Sequence, residues 1–211
     1  MPPQAKFSKE QIVNAAFGIA RESGMESVTA REIGRRLGTS TRPLFTYFKT
    51  VDEVRCAVVL LAYAKYNEYV DAGLAMNPPF KGFGMQYVRF AQEEPHLFRL
   101  LFMRENEGRS YDEFIVGEGH SKQFTETIMG TFDVSRGEAR KLLRNIWFFA
   151  HGIATMCVTK VCRFSDREVS SLLGTACRGM LMELKAPADS RTDIEPRVGK
   201  RIKGDVRSYV G

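Results

Sequence analysis

Apolar residues return every three or four positions along almost the whole chain, and no run of Val, Ile, Thr and Tyr alternates with polar residues between hairpin turns. The first pattern lays one face of a helix on a core, whereas the missing one is what a half-buried strand requires. The fold class expected is all-α. No fixed period repeats, which argues against a stacked solenoid. With 211 residues, 44% of them apolar, the chain has enough core material for a small domain joined to a larger one.

Start and stop signals divide the pattern into helices. Ser8 caps a first helix whose apolar face is Ile12, Ala15, Ala16, Ile19 and Ala20, and Gly24 ends it. Thr29, with Glu32 three positions on, has the spacing of a capping box and opens a short helix over 30–37 that Gly38 terminates. A third follows from Thr39 or Ser40, held to the first two by Leu44, Phe45 and Phe48. Pro43 falls in its first turn, where the missing N–H has no helical partner anyway. A long helix then runs from Asp52 to about Met76 with Val54, Val58, Leu61, Ala62, Tyr66 and Tyr69 on its buried side, stopped by Asn77-Pro78-Pro79.

Phe83, Tyr87, Phe90 and Ala91 make the aromatic face of the next helix, and Pro95 opens another through Leu97, Phe98, Leu101 and Phe102. Residues 105–110 read as a loop. A helix from Tyr111 to Phe132 is weakened by Gly117, Gly119 and Gly130, with a break expected at Gly117 or Gly119. The last two helices, 136–161 and 166–184, carry more apolar residues than one core face needs; Ser165 with Glu168 forms a capping box at the second. Excess apolar surface on a terminal helix pair is expected to meet a second copy of the chain, as a four-helix interface of two-fold symmetry. The expected division is a head over 1–50, a body over 51–185 and a basic, disordered tail over 186–211.

Lys and Arg number 31 against 25 Asp and Glu, a net charge of +6 that favours a polyanionic partner. No segment approaches the ~20 consecutive apolar residues that span a bilayer, and Met-Pro-Pro-Gln-Ala-Lys is followed by no apolar stretch, so a cytoplasmic location without membrane association is expected. Cys56, Cys157, Cys162 and Cys177 form no Cys-x-x-Cys pair and read as small buried hydrophobes. His96, His120 and His151 are too far apart for a metal cluster, and His96 is expected to be exposed. Without a phosphate loop, a nucleophile elbow or a His-Glu-x-x-His run, neither an enzyme nor a cofactor is expected.

Two short helices separated by Gly38-Thr39-Ser40 have the spacing of a helix-turn-helix, whose second helix enters a major groove ~12 Å wide. Here the chain resembles the TetR family, in Ile12-Val13-Asn14-Ala15-Ala16, Gly24, Val28-Thr29, Ile33-Gly34-Arg35-Arg36-Leu37-Gly38-Thr39-Ser40 and Leu44-Phe45-Thr46-Tyr47-Phe48, across about Phe7 to Val58. Glu94-Pro95-His96-Leu97-Phe98-Arg99-Leu100-Leu101-Phe102, with Trp147 and His151-Gly152, is similar to a C-terminal subtype of that family marked by Trp, His and Gly. The resemblance implies Thr29 at a phosphate, Arg31 near a phosphate or base edge, and Thr41, Arg42, Thr46 and Tyr47 facing the groove. Side-chain chemistry agrees for Arg42, whose fork matches guanine O6 and N7. Phe45, Pro43 and Val51 stand where the family usually has Tyr, a small hydroxyl residue and Lys, so Lys49 is a candidate for the missing charge. Arg35 and Arg36 read as a solvated face, with backbone contact as the alternative.

The resemblance further implies an effector cavity in the body. Its candidate lining is Phe83, Tyr87, Phe90, Phe114, Trp147 and His151, each of which also reads as core packing. The function expected is a homodimeric repressor released from double-stranded operator DNA by a small apolar effector. Rival readings are an effector-free adaptor that recruits a protein, and a ligand-binding module with a degenerate DNA head.

Overall fold

Hydroxyl side chains fix the helix starts. Ser8 accepts from the Gln11 N–H at 3.1 Å while the Gln11 side chain accepts from the Ser8 N–H at 2.8 Å, and Ser135 with Glu138 and Ser165 with Glu168 repeat this reciprocal cap. Thr29 makes only half of the expected box. Its hydroxyl accepts from the Glu32 N–H at 3.2 Å, but the Glu32 carboxylate turns to Arg35 Nε at 2.9 and 3.0 Å. A guanidinium two-oxygen pairing competes successfully for the carboxylate.

The computed structural model describes residues 7–104 and 111–186, the side chains of 111–121 excepted. Among these residues all regular structure is helical: α1 (Lys9–Ser23), a 3-10 turn (Met25–Ser27), α2 (Ala30–Arg36), α3 (Arg42–Tyr47), α4 (Val51–Leu74), α5 (Pro79–Glu93), α6 (Pro95–Phe102), α7 (Tyr111–Phe132), α8 (Arg136–Val158) and α9 (Asp166–Lys185). α3 starts later than its sequence implied: Thr41 is its cap, and the Ser40 hydroxyl accepts from the Arg42 N–H at 3.4 Å. α7 runs unbroken through Gly117 and Gly119. The tail beyond 186 and the loop at 105–110 lie outside the described residues.

Two cores share one helix. Ile12, Ala16, Ile19, Ala20, Val28, Ile33, Leu44 and Phe48 close on Val54 and Val58 from the start of α4. The remainder of α4 contributes Ala62, Tyr66 and Val70 to a larger core with α5, α6, α7, α8 and α9. A boundary at residue 50 therefore precedes the helix turns that complete the first core. Where α4 and α5 cross, a Cβ on Gly73 would lie 2.8 Å from Phe83 Cα, so glycine sets how closely these helices approach.

Some exposures depart from the sequence reading. Cys56 is exposed rather than buried, and the other three cysteines are half-buried. His96 is half-buried, its Nδ1 close against Gly24 of the head. α8 and α9 leave Phe148, Phe149, Met156, Leu172 and Met182 exposed. No helix among the described residues is long and apolar enough to cross a membrane.

Candidate nucleic-acid interface and effector cavity

Glycine sets the corner between α2 and α3. A Cβ on Gly34 would meet the Thr39 carbonyl oxygen at 2.9 Å and the Ser40 backbone at 3.2 Å, so only hydrogen fits there. Gly38 takes φ +65°, and the Thr39 N–H donates to the Gly34 carbonyl at 2.9 Å, closing α2 and turning the chain into α3. Leu44 and Phe48 then anchor α3 on the first core, with 2% and 5% of their surface exposed. Arg42, Thr46 and Tyr47 face outward on the opposite side, with Thr41 half-exposed at the start. Phe45 joins them: half of its surface is exposed, so it does not hold the helix to the core as its apolar character suggested.

The basic residues of the head fall into two sets. Arg36 lies across Gly18 of α1 and donates to both Glu22 oxygens at 2.7 and 2.6 Å; Arg35 pairs with Glu32. These hydrogen bonds hold the Glu22 and Glu32 carboxyls below the usual carboxylate range. The guanidinium groups are thereby engaged within the head, a structural role that the sequence, 14 residues apart for Glu22 and Arg36, did not disclose. Arg31, Arg42 and Lys49 form the other set. They are exposed, and no carboxylate among the described residues pairs with their side chains. Thr29 stands beside them at the start of α2, its oxygen accepting from Glu32 and its hydroxyl hydrogen still able to donate.

An ion pair ties the head to the body. Arg21 in the last turn of α1 donates from Nε to Glu94 Oε2 at 2.9 Å, and a second bond joins its terminal nitrogen to Oε1. Glu94 is 5% exposed and sits at the corner where α5 ends and α6 begins. The 73-residue separation hides this contact from any local reading.

In the body, a cavity of about 220 Å³ lies among α5, α7, α8 and α9. Phe80, Phe83, Phe132, Ile146, Trp147, Ala150, Leu173 and Leu181 supply its apolar walls, and Lys81 and Arg178 also line it. Of the six positions expected at a pocket, Phe83 and Trp147 line this one. Tyr87, Phe90 and His151 stand one layer away in the aromatic core, and the Phe114 side chain lies outside the described residues. His151 stacks on Trp147 at 4.8 Å and 14°, and its Nδ1 is 2.9 Å from the Tyr87 hydroxyl. Burial lowers the His151 pKa and raises that of Tyr87 well above the usual phenol value. A neutral imidazole with its proton on Nε2 accepts the hydroxyl hydrogen at Nδ1, so the contact places no net charge in the core.

A glycine-cornered helix pair presenting unpaired cations, carried on a larger helical body, defines a helix-turn-helix regulator. Family models match both the head and the body. Residues 12–56 match the bacterial regulatory proteins of the tetR family, and residues 80–180 match the tetracyclin repressor-like C-terminal domain. The chain belongs to the TetR family and is a TetR-like transcriptional regulator. No curated protein matches it significantly.

Proposed function

We propose that the chain is a repressor that grips operator DNA as a homodimer and lets go when a small molecule occupies the cavity of the body. The observation that carries the reading is the outward face of α3, where Arg42, Thr46 and Tyr47 stand exposed on a helix anchored by Leu44 and Phe48. In this reading Arg42 takes a base edge, Thr41, Thr46 and Tyr47 read or brace it, and Thr29, Arg31 and Lys49 meet phosphates. The exposed apolar residues of α8 and α9 support pairing with a second copy, which sets two reading helices against half-sites ~34–36 Å apart. A ligand that favours another spacing shifts the population away from DNA. α4 and the Arg21–Glu94 pair are the physical connections along which such a shift reaches the head. The cavity favours the effector-responsive reading over an effector-free adaptor. The chain has no catalytic step in this account and works in the cytoplasm.

The test is binding to sites selected from a random DNA library, followed by titration with salt. We expect a dimer whose log affinity falls by several units of slope per log salt, as phosphate contacts demand. A monomer in solution, or salt-independent binding, contradicts the proposal.

A further inference from the structure

The cavity is apolar on its walls yet carries Lys81 and Arg178 among its lining residues, with no carboxylate among them. Lys81 is half-buried, and no anionic group among the described residues pairs with its ammonium. Arg178 is exposed at the edge of the cavity and donates to the neutral Thr175 hydroxyl at 3.2 Å. Cations at the edge of an apolar void without a counter-ion leave charge-assisted hydrogen bonds open to an anion brought by a ligand. A cationic ligand meets the opposite situation, two like charges and no carboxylate among the lining residues.

Volume limits the ligand further. An apolar cavity of ~150 Å³ takes up benzene, so about 220 Å³ admits one ring with a short chain, or a short hydrocarbon chain alone. It falls below the ~300–1,000 Å³ of drug-sized sites. Cys177 also lines the cavity, but burial pushes its thiol pKa up, so it stays a neutral wall group and not a thiolate that would trap a ligand covalently.

We infer that the effector is a small apolar acid, its hydrocarbon part among Phe83, Trp147 and Leu173 and its carboxylate held by Lys81 and Arg178. This rests on the effector-release reading and adds the ligand's chemical class to it. Calorimetric titration of the full chain with three matched probes, phenylbutanoate, phenylbutanamide and phenylbutylamine, tests it, with DNA release measured alongside. The acid is expected to bind about tenfold or more tightly than the other two. In the double variant Lys81→Gln, Arg178→Gln that preference falls to about threefold or less, with helical circular dichroism equal to the parent's showing that the variant is folded. Equal binding of the amide, or tighter binding of the amine, overturns the acid class and leaves effector release standing. An acid preference that persists in the double variant overturns the assignment of Lys81 and Arg178. No binding by any of the three overturns the class, and effector release falls as well if a panel of other apolar compounds also leaves DNA bound.

Discussion

The head and the body are packed by different means. Branched aliphatic chains and alanines fill the head, with Phe48 as its buried ring, whereas the body is built on Tyr66, Phe80, Phe83, Tyr87, Phe90, Phe98, Phe102, Phe124 and Trp147. Small branched chains interdigitate in few rotamers and leave little space. Rings meet edge-on or tilted, as Tyr66 does with Tyr87, Phe90 and Phe102. The cavity of about 220 Å³ lies in the body against Phe80, Phe83, Phe132 and Trp147, while Leu44 and Phe48 hold the reading helix on the first core. In the proposed function the head holds α3 at one angle and the body accepts a second, ligand-occupied state.

The largest effect that can break this comparison is in the head. Ile12 is fully buried, and Ile12→Ala should lower stability by about 2–5 kcal/mol in denaturant unfolding, because a filled core cannot collapse around the gap. A cost below about 1 kcal/mol would mean that the head is loosely packed after all. At the joint between the regions, Arg21→Met leaves the Glu94 carboxylate buried without its donor and should cost about 1–3 kcal/mol, discounted because Arg21 is itself 44% exposed. The same variant should weaken DNA release by effector more than it weakens effector binding, comparing titrations with and without DNA. Matched overpacking sharpens the contrast: Ala16→Val, at a fully buried position of the head, should cost about 1–3 kcal/mol, whereas Ala150→Val at the cavity wall should stay within about 0.5.

The smallest effect is a pH dependence. Burial depresses the His151 pKa below the ordinary 6.5, so the unfolded chain takes up this proton first as pH falls. Stability contributed by the neutral ring is complete above about pH 6.5 and is lost as pH drops through that value towards the folded pKa. The paired carboxyls Glu22, Glu32 and Glu168 are depressed from 4.5 and respond only at lower pH, which leaves the range just below pH 6.5 as the window for His151. Thermal unfolding should show Tm falling across it in the parent chain and falling less in His151→Gln; equal slopes would remove His151 from the account.

What the sequence discloses here is what depends on neighbours a few residues apart. The caps at Ser8, Thr29 and Ser165 and the stops at Gly24 and Gly38 follow from spacing within a turn or two, whereas the outward set on α3 comes from the family resemblance, and apolar character puts Phe45 on the wrong side. Gly34 was visible only as one letter of a family pattern, because its reason is the backbone of Thr39 and Ser40 lying against it. The Arg21–Glu94 and Arg36–Glu22 pairs join separate helices, and nothing in the spacing selects these partners among many charges. Aromatic periodicity marked the inner face of α5 but could not separate Phe83 at the cavity from Tyr87 and Phe90 beside it. Lys81 and Arg178 look like ordinary surface cations until α5 and α9 are brought together.

The claim on which the account turns is that Arg42 carries base recognition once per chain in a symmetric pair. Selection of binding sites from a randomised duplex library, run in parallel with the parent chain and Arg42→Ala, tests it most directly. Preference should relax at one base pair in each of two half-sites related by two-fold symmetry, with a loss of about 1–3 kcal/mol on the parent site. Equal weakening on every sequence, with the preference at each position intact, would make Arg42 a phosphate contact and contradict it.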